Sequence, residues 1–185
     1  AAPAPRPSAC ARRAAPAGPL PAALFAYDPR QPLALRDSAP RVVEGVTVRP
    51  VSFASPKGGR VTGLLYVPPD SAQRGPDGRF AGMVMLHGAP GNAAGVEFAV
   101  LPATRAGAVV LSVDAPFARR DARTPLRFTP QDSADLVQYV VDLRRAVDVL
   151  AARADVDPAR LGSMGISFGG SVGALLAGVE PRLRV

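Results

Sequence analysis

The sequence predicts an α/β domain in which a mostly parallel central sheet carries flanking helices. Three observations lead to this fold class. Continuous apolar runs recur along the chain, and such runs are typical of strands that are covered on both faces. Helical patterns separate these runs, and an alternation of strands and helices favours parallel pairing. The chain of 185 residues, 48% of them hydrophobic, is also long enough for one domain with its own core.

Two strands are predicted at the start of the folded part. Apolar and polar residues alternate across Val46–Phe53, which is typical of a strand with one buried face. A second strand is predicted at Val61–Val67 and ends at Pro68-Pro69, because proline has no N–H to donate to a neighbouring strand. The segment Asp70–Arg79 combines proline, aspartate and glycine and is predicted to be a surface turn.

Three more strands and two short helices are predicted further along the chain. The apolar runs Met83–Leu86 and Val109–Val113 indicate buried strands, and the residues between them indicate a helix at about 93–105. A short strand at Leu161–Ile166 and a helix of small residues at Ser171–Ala177 complete the pattern. These elements supply the parallel part of the predicted sheet.

The clearest helix begins after Thr129. Thr129 is an N-cap residue, Pro130 occupies the first helical position, and Asp132 takes the capping-box position that Glu or Gln usually holds. Apolar residues then recur at intervals of four and three on one face: Leu136, Val140, Leu143, Val147 and Leu150. This spacing predicts an amphipathic helix that packs on the sheet, with the charged residues of the segment on its other sides.

Composition argues against several classes of function. The formal net charge is +7, but the basic residues are scattered, with Lys57 the only lysine, so biased codon usage explains them better than a nucleic-acid surface does. Cys10 is the only cysteine and no Cys/His cluster has metal-ligand spacing, so neither a metal nor another cofactor is predicted. No apolar run reaches the length of a membrane span.

The segment Gly165-Ile166-Ser167-Phe168-Gly169-Gly170 carries the sharpest chemical signal. It matches the pattern G-x-S-x-G between a predicted strand and a predicted helix, where a strained turn lifts a serine hydroxyl above the sheet. Gly165, Gly169 and Gly170 are expected to support this turn, because larger residues would collide with the neighbouring chain. The sequence therefore predicts Ser167 as a catalytic nucleophile, and the alternative is an ordinary glycine-rich turn.

A second signal is His87-Gly88-Ala89-Pro90-Gly91, directly after a predicted strand. Acyl transfer needs two preorganised N–H donors for the oxyanion, one from the residue after the nucleophile, here Phe168, and one from the loop after this strand. The proline of the segment has no N–H, so Ala89 is the predicted second donor and Gly88 is the alternative. His87 is predicted to support the loop together with Gly88, and not to be the general base.

Together these segments resemble the α/β-hydrolase family, especially its branch of dienelactone-hydrolase-like, acetyl-xylan-esterase-like and prolyl-oligopeptidase-like proteins. The resemblance runs from about Phe25 to the end of the chain and rests on further short matches: Ser55-Pro56, Gly58-Gly59, Val113-Asp114-Ala115-Pro116 and Asp155–Gly162. It implies the α/β-hydrolase fold and hydrolysis through an acyl-enzyme. Dienelactone hydrolases proper use a cysteine nucleophile, whereas this chain has Ser167, so esterase-type or peptidase-type chemistry is the nearer implication.

In this family the acid and the histidine follow the serine on later loops. After Ser167 the chain holds one carboxylate, Glu180, and no histidine, so the C-terminal strands and the triad loops are expected to be missing. Asp114 precedes the serine and is expected to lie in a structural or substrate-side loop. The segment Leu183–Val185 is expected to begin another strand and to leave the strand before Ser167 without a neighbour.

The resemblance implies a serine hydrolase acting on a small-molecule ester or a peptide, present here as a fragment that is almost inert without its acid and base. The alternative is a non-catalytic binding protein of the same fold, or a degenerate fragment. The arginine-rich segment Phe117–Phe128 either borders the pocket or forms a solvated loop. Residues 1–24, rich in alanine and proline, are expected to be a disordered leader before a domain at 25–185, which favours export from a bacterium.

Overall fold

The computed structural model describes residues 22–121 and 127–185. Within these ranges the strands are β1 (Arg36–Asp37), β2 (Arg41–Val43), β3 (Val46–Ala54), β4 (Arg60–Val67), β5 (Phe80–Leu86), β6 (Ala108–Val113) and β7 (Val156–Gly165). The helices are α1 (Glu97–Arg105), α2 (Pro116–Asp121), α3 (Pro130–Ala151) and α4 (Phe168–Val179). Two 3₁₀ turns lie at Ala22–Phe25 and Ala93–Val96.

The strands form one sheet in the order β1-β3-β4-β6-β5-β7, and β2 pairs with β3 beside β1. β5 lies between β6 and β7 and pairs in parallel with both. β4 is antiparallel to β3 and to β6. Parallel neighbours need a crossover, which α1 provides between β5 and β6. The predicted α/β class is confirmed, and parallel pairing holds for the half of the sheet that leads to Ser167.

The sheet lies between two apolar layers. On one face, α1 covers a cluster that includes Val48 on β3, Tyr66 on β4 and Met85 on β5. On the other face, α3 and α4 cover a larger cluster that includes Phe53 on β3 and Leu111 on β6. Because alternate residues of a strand point to opposite faces, both layers draw on the same strands. Both faces of the central strands are thereby buried, as the continuous apolar runs predict.

α3 begins as its sequence predicts. The Thr129 hydroxyl accepts a hydrogen bond from the Asp132 N–H, and the Asp132 carboxylate accepts from the Thr129 N–H at 2.8 Å, which completes the capping box. The side of α3 away from the sheet is also covered, so that Asp142 and Arg145 are fully buried. Such buried charges are stable only with partners. Ser55 and Arg119 bind Asp142, and the carbonyl oxygens of residues 29 and 31 accept hydrogen bonds from Arg145.

The end of the chain differs in three details from the sequence prediction. β7 begins at Val156, five residues before the predicted strand, because Val156 pairs with Phe80 ahead of a register shift. α4 begins immediately after the elbow, at Phe168 rather than at residue 171. The expectation that β7 lacks a neighbour is wrong at Leu161–Ser163, where residues 183–185 pair in parallel with it.

The predicted leader, residues 1–24, lies outside the described residues except for Ala22–Leu24, which open the first 3₁₀ turn. Phe25, the first residue of the predicted domain, is buried in the core. Of the arginine-rich segment Phe117–Phe128, residues 122–126 lie outside the described residues. In the described ranges, no helix is long and apolar enough to cross a membrane.

Candidate active site

Ser167 lies at the turn between β7 and α4, and its side chain is exposed. Its φ of 54° and ψ of −120° are a backbone conformation that residues with a Cβ rarely adopt. Strain of this kind costs about 1–3 kcal/mol and is kept only where the surroundings hold it. The turn places the hydroxyl above the end of β7 and at the N-terminus of α4, as expected of a nucleophile elbow.

Two glycines allow the chain to fold back this sharply. A Cβ on Gly165 would lie 2.3 Å from the carbonyl oxygen of Gly169, and a Cβ on Gly169 would lie 2.4 Å from the carbonyl oxygen of Leu86. Both distances are shorter than any van der Waals contact. A Cβ on Gly170 would lie 3.4 Å from its nearest neighbour, the Gly165 carbonyl oxygen, so this position leaves more room for a side chain. Backbone crowding on both sides of Ser167 therefore accounts for the first two glycines of the motif.

The segment His87–Gly91, called the oxyanion loop below after the role that the sequence predicts for it, lies against the elbow. A Cβ on Gly88 would be 3.5 Å from the Ser167 Cβ, and the Ile166 N–H donates to the Leu86 carbonyl at 3.1 Å. The loop and the serine therefore lie side by side, although they are about eighty residues apart in the sequence. Phe168 is the first residue of α4, where a helix leaves its N–H groups without intrahelical partners.

His87 is buried, and both of its ring nitrogens are engaged. Nε2 accepts a hydrogen bond from the Ala115 N–H at 3.0 Å, and Nδ1 lies 2.8 Å from the Gly88 carbonyl oxygen, to which it donates in the neutral ring. Burial lowers the pKa of His87 below its ordinary value, although the Gly88 carbonyl and the charge of Asp114 act in the opposite direction. These contacts occupy the ring within the loop and do not orient it as a base for the serine.

Aromatic rings pack beneath the elbow in an arrangement that sequence reasoning did not predict. Phe168 stacks on Tyr139 with a centroid distance of 6.5 Å and meets Phe117 edge-on at 5.9 Å. Phe117 also meets His87 edge-on at 5.6 Å. The cluster joins α2, α3, α4 and the oxyanion loop. Only the elbow and loop motifs gave a local signal, since the contacts of Phe117 and Tyr139 depend on the tertiary fold.

Asp114 follows β6, and its carboxylate binds the neighbouring backbone and a hydroxyl. Oδ1 accepts from the Ala93 N–H at 2.7 Å, and Oδ2 accepts from the Thr62 hydroxyl at 2.6 Å. The expectation that Asp114 occupies a structural or substrate-side loop agrees with this position. Asp114 also lines a cavity of about 460 Å³ together with Arg36, Ser52 and Asn92.

The other charged candidates lie in ion pairs. Glu180 is 1% exposed and binds Arg182 at 2.7 Å and Arg144 at 3.3 Å at the far end of α4. In the segment proposed to border a pocket, Arg119 and Arg120 bind aspartates of α3. Among the residues that the structure describes, no three His, Cys, Asp or Glu side chains lie close enough together to hold a metal ion.

A small cavity of about 190 Å³ adjoins the oxyanion loop. Gly88, Ala89 and Ile166 line it from the side of the elbow, and Val96 and Phe98 line it from the start of α1. Phe98 is largely exposed. The space beside the loop is therefore mainly apolar, while the loop contributes backbone groups.

The fold is shared with solved structures. An acetyl xylan esterase from Paenibacillus sp. R4 matches with a TM-score of 0.68 and 22% identity over 88% of this chain. Acetyl xylan esterase 1 from Thermoanaerobacterium sp. JW/SL YS485 matches with a TM-score of 0.55 and 18% identity over 81% of this chain. The chain has the α/β-hydrolase fold.

A third structure with this α/β-hydrolase fold is a cold-adapted esterase from an Arctic intertidal metagenomic library, with a TM-score of 0.62 and 17% identity over 80% of this chain. The chain spans 54% of the Paenibacillus enzyme, 49% of the Thermoanaerobacterium enzyme and 62% of the Arctic esterase. No family profile and no curated protein sequence matches the chain.

Proposed function

We propose that this chain is the nucleophile-bearing part of a serine hydrolase that cleaves an ester or amide bond through an acyl-enzyme. Ser167 attacks the carbonyl carbon and gives up its hydroxyl proton, the N–H groups of Phe168 and Ala89 bind the oxyanion, and the leaving group departs with that proton. Water then hydrolyses the acyl-enzyme, which releases the acid and restores the Ser167 hydroxyl. The triad acid and histidine come from outside these 185 residues. The observation that carries the proposal is the strained Ser167 at the strand–helix turn, next to the Gly88 loop.

An ester is the favoured substrate, because the similar structures bear the names of esterases. The cavity of about 190 Å³ beside the oxyanion loop supports a small substrate group at this position. A second candidate function is non-catalytic binding in the same pocket. The observation that favours it concerns His87, the one histidine of the chain. Its ring is engaged in the loop and is not available to activate Ser167 as a base.

The two functions are separated by covalent labelling of the complete gene product with a fluorophosphonate probe, followed by peptide mapping. We expect modification at Ser167 and hydrolysis of a short-chain aryl ester. Ser167→Ala should abolish labelling and lower turnover by about a million-fold, because an activated serine is the reacting group. Ser171→Ala, at an exposed serine one turn further along α4, is the matched control and should label normally.

A folded wild-type protein that neither binds the probe nor hydrolyses esters would contradict the catalytic proposal and leave the binding function. Labelling at a different serine would contradict the assignment of Ser167.

A further inference from the structure

The oxyanion loop is connected at both ends to one short stretch of chain, Ser112–Ala115, at the end of β6. At the start of the loop, the Ala115 N–H donates to His87 Nε2 at 3.0 Å. Beyond its end, the Ala93 N–H donates to Asp114 Oδ1 at 2.7 Å, and the Ala93 carbonyl accepts from the Ser112 hydroxyl at 3.0 Å. The N–H and C=O groups of Ala93 are therefore both bound to this stretch.

The carboxylate that binds Ala93 is itself held in place. Asp114 Oδ2 accepts from the Thr62 hydroxyl at 2.6 Å, and the Asp114 N–H donates to the Thr62 carbonyl at 2.9 Å. Both contacts come from β4, on the side of β6 opposite β5. Hydrogen bonds to an ionised carboxylate are the stronger kind. Asp114 therefore connects the loop to a rigid part of the sheet rather than to another loop.

The direction of the Ala89 N–H depends on how the loop is held. The Gly88 carbonyl, which binds His87 Nδ1 at 2.8 Å, belongs to the same peptide group as the Ala89 N–H. In a trans peptide these two groups point in opposite directions, so fixing the carbonyl also fixes the N–H. A shift of the loop at either end would rotate this peptide group and change where the donor points.

We propose that Asp114 is a positioning residue for the oxyanion loop: through its hydrogen bond to Ala93 it holds the loop in the orientation in which the Ala89 N–H binds the oxyanion. The proposal rests on the proposed function for the role of Ala89. Asp114 acts through the loop and touches no reacting atom. Asp114 contributes to catalysis by preorganising the Ala89 N–H, a donor that binds the transition state more strongly than the ground state.

The test compares Asp114→Ala with Asp114→Asn in the complete gene product, with turnover expressed per serine titrated by the fluorophosphonate. Asp114→Ala should lower kcat and kcat/KM by the same factor, about 10- to 100-fold, which is less than the ~10²–10³ for complete loss of one donor. It should weaken binding of a trifluoromethyl ketone, which forms a tetrahedral adduct, by a similar factor, and leave KM unchanged.

Asp114→Asn should restore most of the loss, because the amide keeps an acceptor for the Ala93 N–H and a polar group towards Thr62. Asp148→Ala is the control, since Asp148 lies on α3 and binds Arg145 and Arg182 rather than a residue of the loop. It should lower thermal stability without changing kcat per titrated site. An unchanged kcat in Asp114→Ala, or an Asn variant as impaired as the Ala variant, would overturn the proposal.

Hydrogen exchange of the segment 87–95 gives a readout that does not depend on activity. Asp114→Ala should speed exchange of this segment relative to wild type, whereas Asp148→Ala should not, because local protection reports the contacts that hold a segment. If the wild type neither labels nor turns over, the proposed function fails while this measurement still decides whether Asp114 holds the loop. Unchanged exchange would overturn that part.

Discussion

At the scale of single residues, the elbow depends on the absence of two side chains. Gly169 packs its Cα against the carbonyl oxygen of Leu86 at the end of β5, where a Cβ would be 2.4 Å away. Neither of these groups can move freely, because one belongs to the first turn of α4 and the other to β5, which is hydrogen-bonded to a strand on each side. The site is therefore sensitive to the addition of a single carbon atom.

We expect Gly169→Ala to lower the free energy of unfolding by about 1–3 kcal/mol, the usual cost of overpacking a tight contact. Gly173→Ala in the same helix is the matched control, since a Cβ there meets no atom within 4 Å. That variant should be more stable by about 0.5–1 kcal/mol, because alanine loses less conformational entropy than glycine. Urea denaturation measures both changes, and equal stability of the two variants would contradict the packing argument.

The sequence predicted the residues of the elbow and of the oxyanion loop because the constraint on each is local. A glycine at a sharp turn and a proline without an N–H are visible in a short window. The partners of Asp114 and the aromatic contacts of Phe168 were not predictable, because they join segments that are far apart in the chain. The acid and the base of a triad are likewise long-range features.

At the scale of elements, α3 shows what a capping motif contributes. Its N-terminus is fixed by the reciprocal bonds of Thr129 and Asp132, and the Asp132 carboxylate also accepts a hydrogen bond from the Arg127 N–H at 3.1 Å. The same helix buries Asp142 with Ser55 and Arg119, which ties α2 and the β3–β4 turn to it. The position of α2 in turn places Phe117 against His87 and Phe168.

Loss of the N-cap should destabilise the protein through α3. Thr129→Ala is expected to lower the free energy of unfolding by about 1 kcal/mol, because the Asp132 N–H loses its acceptor. Thr129→Ser keeps the hydroxyl and should remain within about 0.5 kcal/mol of wild type. Chemical denaturation monitored by circular dichroism tests the pair. A serine variant as unstable as the alanine variant would point to the methyl group instead of the cap.

At the scale of the whole molecule, an ion network joins the end of α4 to α3 and to the N-terminal segment. Glu180 binds Arg182 and Arg144, and Arg144 also donates to the Phe25 carbonyl at 2.7 Å. Burial alone raises the pKa of Glu180, but the hydrogen bonds and charge of Arg182 outweigh it and hold the pKa below the ordinary value of 4.5. The folded protein therefore favours the ionised carboxylate.

This network gives a pH dependence with a definite sign. Because the folded-state pKa of Glu180 is lowered, its stabilisation is present above pH 4.5 and is lost as the pH falls through the folded-state pKa. Glu180→Gln should therefore be less stable than wild type at pH 7. The difference in stability between the two proteins should become smaller below pH 4.5. Thermal melts of both proteins across this pH range measure the difference in stability.

The control for Glu180 is Glu44→Gln, which removes one partner of an exposed ion pair with Arg105. At pH 7 this change should alter stability by less than about 0.5 kcal/mol, as is usual for surface pairs. If the difference in stability between Glu180→Gln and wild type is the same at pH 3 and pH 7, ionisation of Glu180 is not the cause of that difference.

The fold class was predictable from patterns repeated along the chain, whereas the start of β7 and the pairing of its edge were not. β7 begins early because Val156 pairs with Phe80 across a register irregularity, which leaves no mark in a hydrophobicity pattern that contains Pro158. Likewise, the helical pattern placed Arg145 away from the apolar face of α3 but did not predict that carbonyl oxygens of the N-terminal segment bind it.

The two halves of β3 bury opposite faces of the strand. Val46 and Val48 enter the layer beneath α1, whereas Val51 and Phe53 enter the layer beneath α3. The change occurs at Pro50, with no break in the pairing to β4. The effect of an insertion at Pro50 therefore depends on whether the number of added residues is odd or even. One inserted residue would turn one of these two pairs towards the wrong layer, whereas two inserted residues would return both pairs to their own sides. Along this strand, we expect natural variants to differ in length by even numbers.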